Sequence, residues 1–539
     1  MSGEGGLPAR VEVYDTTLRD GAQLEGISLT VDDKLRIAEQ LDWLGVDYIE
    51  AGWPGANPKD DELFRRAAKE LQLTTSRLVA FGMTRRVKGK VDADDTLRHL
   101  VEAGTDSVCI VGKCWDYHVT EALGTTLDEG VAMVTDSVEY LKGLGREVLF
   151  DAEHFFDGYK HNPEFGFRVL EGAVTAGADR LVLCDTNGGA LPFEVEHIVR
   201  SVVDYFGAEV AVGVHLHDDA GCGVANALAG VRGGATQVQG TINGYGERTG
   251  NCNLTSIIPN LSLKMGVETL PPGRLERLTP VAHHVAELVN MALNPQAPYV
   301  GSSAFAHKAG LHVSAIAKRP DAYEHVHPDL VGNGTRFVMS ELAGRSTILL
   351  KAAELGLELD GPTVNEVVDT LKQLEHEGYH FEVADASLEL LMRRAAGWEP
   401  GWFHVESFRV ITDDASPETA TDREPDGVTT EATIKLHIGE ERLIATAEGN
   451  GPVNALDRAL RHALAGRYPA LDRLHLTDYK VRVLDTQRGT GAVTRVLLDS
   501  TDGEASWTTI GVSENIIEAS WQALHDSLVY GLLRASARG

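Results

Sequence analysis

Several short stretches of the sequence carry side chains that can bind a divalent metal ion, and each lies where a predicted β-strand ends. Asp20 follows the first predicted strand, His215 and His217 belong to the seventh, and Asn251 follows the eighth. One carboxylate oxygen, two imidazole nitrogens and one amide oxygen form a mixed ligand set that suits Mg, Mn, Zn or Co rather than a soft metal. Because such a set leaves coordination positions open, a 2-oxo acid can chelate the ion through its keto oxygen and carboxylate.

The pair His215 and His217 has two interpretations. Residues two apart in a strand point the same way, so a His-x-His pair fits packing or hydrogen bonding as well as metal binding. Asp20 and Asn251 favour the metal, because the first, seventh and eighth strands become neighbours when a barrel closes. We therefore predict one divalent-metal site formed by these four residues.

Other polar residues near the predicted strand ends are candidates for catalysis or substrate binding. Arg19 either neutralises Asp20 as an ion-pair partner or stabilises oxyanion charge that develops beside the metal. Glu153 ends the fifth predicted strand and is a general base, a positioning carboxylate or a solvated loop residue. Glu50 and Thr186 end the second and sixth predicted strands, and we expect them to form hydrogen bonds around the metal or the substrate.

The densest basic run of the predicted barrel follows the third predicted strand. It contains Arg85, Arg86, Lys88 and Lys90. Such a run is either a solvated loop or, as a second interpretation, a contact for the phosphates of an acyl-CoA, in which Arg85 and Arg86 bind substrate.

Eight apolar, β-rich runs recur about every 30 residues, and stretches with helical periodicity lie between them. The predicted strands are 11–18, 47–53, 77–83, 107–113, 147–155, 180–186, 209–217 and 236–245. This alternation predicts an α/β fold, a (β/α)₈ TIM barrel over residues 1–278, with every motif on the C-terminal face where such barrels carry their active sites. An open doubly wound sheet also fits the alternation, but a dinucleotide-binding version requires G-x-G-x-x-G after strand one, which this chain lacks.

Two further regions follow the barrel. Between residues 279 and 400 helical segments dominate, which predicts helical linker subdomains, and the histidines and lysine of 305–312 are expected to contribute to the active site. Residues 401–539 repeat a pattern of two strands and a helix, which predicts a small, pseudo-symmetric α+β domain. The glycine loop before each of its helices either holds a carboxylate or only caps the helix. Residues 412–430 are poor in apolar side chains and predict a mobile insertion.

Composition excludes several classes of function. A formal net charge of −31 over 539 residues argues against nucleic acid and anionic membrane surfaces as partners. Five cysteines without a C-x-x-C pair predict reduced thiols, and the chain shows neither an apolar leader at its start nor a membrane-spanning run, so a cytoplasmic protein is expected.

Four motifs carry a resemblance to a known family. They are YDTTLRDGAQ (14–23), VHLHDDAG (214–221), GYGERTGN (244–251) and FAHKAGLH (305–312). Together they resemble the metal-dependent barrel enzymes of the 2-isopropylmalate synthase, homocitrate synthase and HMG-CoA lyase family. Further similarity at 49–60, 81–86, 152–163, 183–189 and 340–346 is greatest to the long-form citramalate synthases, and GNGPVNALDRAL (449–460) is similar to the regulatory domain of this group.

The resemblance implies condensation of acetyl-CoA with pyruvate, followed by hydrolysis of the citramalyl thioester, in isoleucine biosynthesis. It implies that the four predicted ligands bind the metal, that Arg19 stabilises oxyanion charge and that Glu153 acts at the acetyl group. It also implies that His312, supplied by a partner subunit, assists proton transfer or thioester hydrolysis, so a homodimer is expected. Isoleucine is the effector that the resemblance implies for the C-terminal domain.

Several alternatives stay open at this point. The acceptor can be 2-oxoisovalerate or 2-oxoglutarate, as in a 2-isopropylmalate or homocitrate synthase, because one methyl group is worth only about 1–3 kcal/mol of discrimination. A metal-dependent acyl-CoA lyase is disfavoured by the C-terminal domain, and a sensor with an inactive barrel is disfavoured by the intact ligand set. Two departures from the wider family, Ser314 after His312 and His154 after Glu153, agree with the citramalate group without establishing the keto acid.

Overall fold

A computed structural model describes residues 6–307, 319, 323–337, 345–414, 428–484, 489 and 491–538. Contacts divide the chain into two compact units. The first, here called the barrel unit, comprises Met1–Phe305 and Glu324–Thr335. The second, here called the C-terminal unit, comprises Ala306–Tyr323 and Arg336–Gly539. Among the described residues, none of the helices combines the length and apolar character needed to cross a bilayer.

Eight parallel strands close into a barrel in the order β1 to β8, with β1 paired to β8. Their bounds are Glu12–Asp15, Tyr48–Gly52, Arg77–Met83, Ser107–Lys113, Glu147–Glu153, Arg180–Asp185, Ala211–Leu216 and Gln237–Gly240. Each observed strand lies within a predicted range, so the predicted TIM barrel is confirmed and the open doubly wound sheet is excluded.

Helices cover the outside of the barrel. They are α1 to α10, with bounds Val31–Leu44, Pro58–Glu70, Asp95–Glu102, Leu127–Gly143, Phe155–His161, Pro163–Thr175, Pro192–Phe206, Gly223–Arg232, Leu254–Pro259 and Leu278–Leu288. Local sequence sets their starts: Thr30 and Asp33 form a capping box for α1, and Asn57 caps α2. Gly45, at φ 97°, ends α1 in the left-handed conformation that glycine adopts most easily. The short helices α5 and α9 were not predicted, because neither shows enough helical periodicity.

Alternate strand residues face two different cores. Val13 and Ile49 belong to the large cluster between the strands and the helices, whereas Tyr14 and Tyr48 belong to a smaller cluster inside the barrel. This alternation follows from the two-residue period of a strand. Aromatic and aliphatic side chains fill part of the interior, and the polar side chains buried among the strands, Glu50, Asp151 and Gln239, lie between this cluster and the rim residues. Helix α10 also packs into the large cluster through Val281, so the barrel unit continues past residue 278, where the predicted barrel ends.

The C-terminal unit contains two similar halves. In the first, strands His404–Asp414, Val428–Ile438 and Glu441–Gly449 form an antiparallel sheet followed by the helix Pro452–Leu464. In the second, His475–Val483, Thr494–Thr501 and Ser506–Ser513 are followed by Ile516–Arg538. The predicted strand–helix repeat is therefore confirmed, with one more strand in each half than predicted.

The region between the barrel and these sheets is helical, as predicted. Its helices in the described part of the chain are Arg345–Glu354, Gly361–His376 and Asp385–Ala395, and the two-residue strands Ala306–His307 and Arg336–Phe337 pair in parallel. The predicted mobile insertion is wrong at its ends, because 412–414 and 428–430 pair as strands. Residues 415–427 lie outside the described residues.

Candidate metal centre and active site

The four predicted ligands meet at the C-terminal mouth of the barrel. Asp20 lies in the turn after β1, His215 is on β7, and His217 and Asn251 form an isolated bridge beyond β7 and β8. Oδ2 of Asp20 is 3.1 Å from Nε2 of His215 and 3.8 Å from Nε2 of His217. Ligand atoms of these three residues lie within 4.8 Å of one another, and all three side chains are buried. Strand ends that are distant in sequence therefore bring together one group of cation-binding atoms.

The tautomer of His215 and the amide of Asn251 show that this group fits a cation. Oε1 of Gln239 can only accept, so Nδ1 of His215, 2.8 Å away, carries a proton and Nε2 is the nitrogen that faces Asp20. The amide nitrogen of Asn251 lies 3.0 Å from Oδ2 of Asp20 and 3.2 Å from Nε2 of His215. Its buried Oδ1 accepts no hydrogen bond from any described residue. Rotating that amide would turn its oxygen toward the other acceptors, and a divalent cation would satisfy all four.

Two glycines shape the loop that carries Asn251. Gly246 has φ 153°, and a Cβ atom placed on it would lie 1.9 Å from Oδ1 of Asn251. Gly250 has φ 96°, and its Cβ would lie 2.0 Å from the carbonyl oxygen of Gly244. The glycines of the GYGERTGN motif are therefore required for the close approach of the backbone to the ligand amide.

Electrostatics favour the metal-binding forms of Asp20 and His217, whereas at His215 the hydrogen bond and charge of Asp20 outweigh burial and raise the pKa, so a metal must displace a proton there. Burial alone would raise the pKa of Asp20, but Arg19 and the two histidines lower it well below its usual range. Burial, with the charge of His215, lowers the pKa of His217 to about 4. At neutral pH the structure thus offers a carboxylate and a neutral imidazole, the forms that bind a metal.

Arg19 is fixed between an acid and an aromatic ring. Its Nε lies 2.6 Å from Oε1 of Glu50, its Nη1 lies 3.5 Å from Oδ2 of Asp20, and its guanidinium is 3.8 Å from the centre of the Phe81 ring. Glu50 is fully buried and accepts a second hydrogen bond, of 2.5 Å, from Tyr14. The expected contact of Glu50 with substrate is therefore corrected: both of its oxygens are occupied, and it positions Arg19.

A cavity of about 270 Å³ opens beside this centre. Among the predicted residues, it is lined by Arg19, Asp20, Glu153, Thr186, His215 and His217. Its other lining residues include Phe81, Met83, Val111, Leu123, Met133, Lys113, Asp151, Glu247 and Arg248. The cavity is thus apolar along one side and carries charged groups beside the metal ligands.

The basic run after β3 does not reach this cavity. Arg85 is buried and pairs with Glu129 at 2.7 Å and with Asp136 at 2.7 Å, both on α4. Arg86 is exposed, and its backbone N–H donates to Asp94. Neither arginine is among the described residues that line the cavity. The expected substrate contact of Arg85 is corrected, because two carboxylates already neutralise its charge, and nothing in the described structure places Arg86 near the substrate.

Three residues at this mouth were missed by the sequence analysis. Lys113 ends β4, and its Nζ lies 2.5 Å from Oε2 of Glu153. Gln239 holds His215, and Arg248 places Nη2 3.2 Å from Nδ1 of His217 while binding Asp219 through two bonds. The strand-end position of Lys113 and the place of Arg248 within the GYGERTGN motif were usable signals, whereas the role of Gln239 depends on the register of β7 and β8. His312, which was predicted to be catalytic, lies outside the described residues.

A closed barrel with an acidic and imidazole cluster at its mouth defines the class of protein. A family profile described as HMGL-like matches residues 10–284, a homocitrate synthase post-HMGL domain-like profile matches 299–379, and a LeuA allosteric (dimerisation) domain profile matches 382–532. The chain is therefore an HMGL-like barrel enzyme of the acyltransferase group with a LeuA-type C-terminal domain.

Comparison with individual relatives identifies the family within this class to which the chain belongs. The (R)-citramalate synthase of Aquifex aeolicus is 51% identical over 99% of this chain and 100% of its own length. The (R)-citramalate synthases of Streptomyces coelicolor and Geobacter sulfurreducens are 52% and 51% identical, over 99% and 97% of this chain and the same shares of their own lengths. The chain belongs to the (R)-citramalate synthase family, which confirms the resemblance drawn from its motifs.

Proposed function

We propose that this chain condenses acetyl-CoA with pyruvate and water to give (R)-citramalate and CoA, in isoleucine biosynthesis. The observation that carries the proposal is the cluster of Asp20, His215 and His217, which opens on a cavity that also contains Arg19 and Glu153. The relatives named above support it, since each is an (R)-citramalate synthase and is matched over nearly its whole length.

Asp20, His215 and His217, with the amide oxygen of Asn251, would hold a divalent metal ion. When bound, such an ion holds a 2-oxo acid through its carboxylate and polarises its ketone. Mg and Mn match the carboxylate and amide oxygens, and Zn and Co match the imidazoles, so the ligand set supports all four. The hydrogen bond to Gln239 turns Nε2 of His215 toward Asp20, and the lowered pKa of His217 keeps that ring neutral for ligation.

Arg19 stabilises the alkoxide oxygen that forms on the ketone carbon. Its guanidinium already lies beside Asp20, so an acceptor bound there would meet a fixed positive charge. Glu50 and the Phe81 ring hold it in place, which means that little reorganisation is needed during the reaction.

Glu153 removes a proton from the methyl group of the acetyl donor. It ends β5, lines the cavity and has a side chain 22% exposed, so one face of its carboxylate is open to a substrate. Thr186 accepts a hydrogen bond of 3.0 Å from the backbone N–H of His154, which fixes the chain directly after Glu153. His312 of the partner subunit completes proton transfer or thioester hydrolysis in this proposal, on the basis of the family resemblance alone.

The apolar side of the cavity supports a small acceptor. Met83, Val111, Leu123 and Met133 line it, and the methyl group of pyruvate needs only a small apolar contact. In 2-oxoisovalerate an isopropyl group replaces this methyl group and adds two carbons. If the cavity does not admit them, each costs about 1–3 kcal/mol of transition-state binding free energy. The carboxyethyl group of 2-oxoglutarate would also place a second negative charge against these apolar side chains. We therefore propose pyruvate over 2-oxoisovalerate and 2-oxoglutarate.

Release of the CoA thiol tests the proposal. Purified protein with Mg or Mn is expected to release CoA from acetyl-CoA with pyruvate, and to do so much more slowly with 2-oxobutyrate, 2-oxoisovalerate or 2-oxoglutarate. Chelation is expected to stop turnover, and His215→Ala is expected to abolish it. The matched control is His197→Ala, an exposed histidine on α7. Faster turnover of 2-oxoisovalerate than of pyruvate would contradict the assigned acceptor.

We further propose that the C-terminal unit binds isoleucine and that the protein is a homodimer. A cavity of about 430 Å³ in this unit is lined by residues 450–454, at the start of the helix Pro452–Leu464, and by leucines 474, 476, 498, 524 and 528. Leucine side chains suit an aliphatic amino acid, and the glycine loop at the start of the helix Pro452–Leu464 can hold its carboxylate. The match to a LeuA allosteric (dimerisation) domain supports both parts. Calorimetry that detects no isoleucine binding would contradict the proposed effector. Sedimentation that gives a monomer would contradict the proposed homodimer.

A further inference from the structure

We propose that Lys113 is a catalytic residue, whose ammonium donates a hydrogen bond to the thioester oxygen of the acetyl donor while Glu153 removes a methyl proton. This rests on the proposed function, which places an acetyl thioester in the cavity. A condensation forms two oxyanions in turn, an enolate on the donor and an alkoxide on the acceptor. The structure provides a separate cation for each: Lys113 beside the base, and Arg19 beside the metal ligands.

Lys113 and Glu153 are held side by side by the barrel itself. They are register partners at the ends of β4 and β5, and the backbone N–H of Cys114 donates to the carbonyl of Glu153 at 3.1 Å, one residue beyond the strands. Nζ of Lys113 lies 2.5 Å from Oε2 of Glu153. In an acetyl group the methyl carbon and the carbonyl oxygen share one neighbouring carbon. A base and a donor in direct contact can therefore reach both groups at once.

Both side chains have capacity left for a substrate. The ammonium has three N–H donors, and in the described part of the chain its recorded polar contact is with Glu153 alone. The two side chains are 27% and 22% exposed, and both line the cavity. The other cations of the cavity are engaged elsewhere: Arg19 binds Glu50, and Arg248 binds Asp219. Lys113 is thus the cation that lies next to the proposed base.

The movement of charge in the first step favours this arrangement. Before the step the negative charge is on Glu153, and afterwards it is on the enolate oxygen. A fixed ammonium between these two positions faces a negative charge throughout, so little electrostatic reorganisation accompanies proton transfer. Without it, the enolate would form in a cavity that also contains the carboxylates Asp20, Asp151 and Glu247.

The step is balanced in atoms and electrons. Glu153 takes a proton from the methyl carbon, the C–H electron pair becomes the C=C bond of the enolate, and the carbonyl π pair moves onto the oxygen held by Lys113. The enolate carbon then attacks the ketone carbon of the acceptor, the thioester carbonyl re-forms, and the ketone π pair moves onto the oxygen held by Arg19. Lys113 gives up no proton in this sequence.

Kinetics of Lys113 variants test the proposal. Lys113→Met removes the charge and the donors but keeps an unbranched chain, and kcat is expected to fall about 10²–10³-fold, as for the loss of one oxyanion donor. With trideuterated acetyl-CoA, the isotope effect on kcat is expected to be larger in this variant than in the unmodified protein, because C–H cleavage becomes slower. Lys113→Arg, which keeps a charged donor, is expected to restore part of the rate.

Binding of one CoA thioester and one CoA thioether separates this role from a purely structural one. By calorimetry without a 2-oxo acid, Lys113→Met is expected to bind acetyl-CoA about tenfold more weakly, the value of one hydrogen bond. Its affinity for S-ethyl-CoA, in which a methylene replaces the carbonyl, is expected to stay unchanged. Equal affinities of the variant and the unmodified protein for acetyl-CoA, or equal losses for both ligands, would overturn the proposal.

A matched control comes from the opposite end of the barrel. Nζ of Lys142 lies 2.7 Å from Oδ2 of Asp179, which directly precedes β6, so Lys142→Met removes a similar ion pair far from the cavity. This variant is expected to keep the unmodified rate, isotope effect and affinities. Failure of the proposed function would be visible separately, as the absence of CoA release by the unmodified protein, whereas the binding comparison requires no turnover.

Discussion

The amide oxygen of Gln239 lies 2.8 Å from Nδ1 of His215, its register partner on the neighbouring strand. The amide nitrogen of Gln239 lies 3.2 Å from Oδ1 of Asp151, on the other side of the barrel. All three side chains are buried. A line of hydrogen bonds therefore crosses the barrel interior and fixes which nitrogen of His215 faces Asp20. Partners of this kind orient the imidazoles that bind metals.

Replacing Gln239 tests this arrangement. Gln239→Leu leaves Nδ1 of His215 without its acceptor, so the ring loses its fixed tautomer, and the affinity for Mn is expected to fall about 10–100-fold. Calorimetric titration with Mn measures it. Gln237→Leu is the matched control, since Gln237 is buried two residues earlier on β8 and contacts Glu12 rather than a predicted ligand. Equal Mn affinities of Gln239→Leu and the control would contradict the role of Gln239.

Replacing Gly246 with alanine is expected to disable the proposed metal centre, although no ligand residue is substituted. Its Cβ would lie 1.9 Å from Oδ1 of Asn251, at a φ of 153° that other residues rarely adopt, so the amide must move. We expect Gly246→Ala to weaken Mn binding more than tenfold and to reduce turnover in proportion. Metal titration and CoA release measure the two effects.

Gly189→Ala is the control for this variant. Gly189 also lies in a loop at the barrel mouth, and within the described structure no atom comes within 4 Å of the position of its added Cβ. We expect this variant to bind Mn as the unmodified protein does. Gly246→Ala with unmodified Mn affinity would show that Asn251 does not need its present position.

The barrel and the ligand cluster were predictable because both depend on local patterns. Each strand is an apolar run of ordinary length, and the C-terminal ends of all eight strands meet at one face whatever the details of packing. Asp20, His215, His217 and Asn251 could therefore be grouped before any distance was known. One strand of each C-terminal sheet was missed, the first in one sheet (404–414) and the last in the other (506–513). In 404–414 a β-bulge between Val405 and Ser407 interrupts the apolar alternation.

The errors at the site come from contacts between distant segments. The sequence alone predicts Arg85 to be a surface charge. In the structure it is buried because it pairs with Glu129 and Asp136, which lie more than 40 residues later in the chain. Glu50 lies two residues before the end of β2, so it faces the layer below the rim rather than the cavity. Lys113 and Glu153 become partners only through the register of β4 and β5, which periodicity does not specify.

Glu50 is expected to be essential for stability as well as for the position of Arg19. Glu50→Gln keeps an oxygen that can accept the 2.6 Å hydrogen bond but removes the charge that neutralises the buried guanidinium, and breaking a buried ion pair of this kind costs about 3–5 kcal/mol of the free energy of unfolding. Urea unfolding followed by tryptophan fluorescence measures it. We also expect a lower kcat, because Arg19 is no longer held beside Asp20.

An exposed ion pair provides the comparison. Arg66 and Glu70 lie 2.7 Å apart on the surface of α2, where water screens the interaction. Glu70→Gln is expected to unfold at nearly the same urea concentration as the unmodified protein. If Glu50→Gln and Glu70→Gln were equally stable, the buried pair would not be needed to hold the barrel together.

Asp15 is expected to make stability depend on pH between about 4 and 7. Burial raises the pKa of this carboxyl from 3.8 to about 7, although Thr17 donates two hydrogen bonds to it. The folded state therefore holds the proton more tightly than the unfolded state, and the stability gained from it is present below pH 3.8 and lost as the pH rises through 7.

The side chain of the Asp15→Asn variant cannot ionise, so this variant is expected to keep its stability as the pH rises. Between pH 4 and 8 the free energy of unfolding of the variant, minus that of the unmodified protein, should rise by up to about 4 kcal/mol, since one pKa unit corresponds to about 1.4 kcal/mol. Urea unfolding of both proteins at several pH values measures the difference, and titration of other groups cancels in it. A difference that stays constant across this range would show that Asp15 titrates alike in the folded and unfolded states.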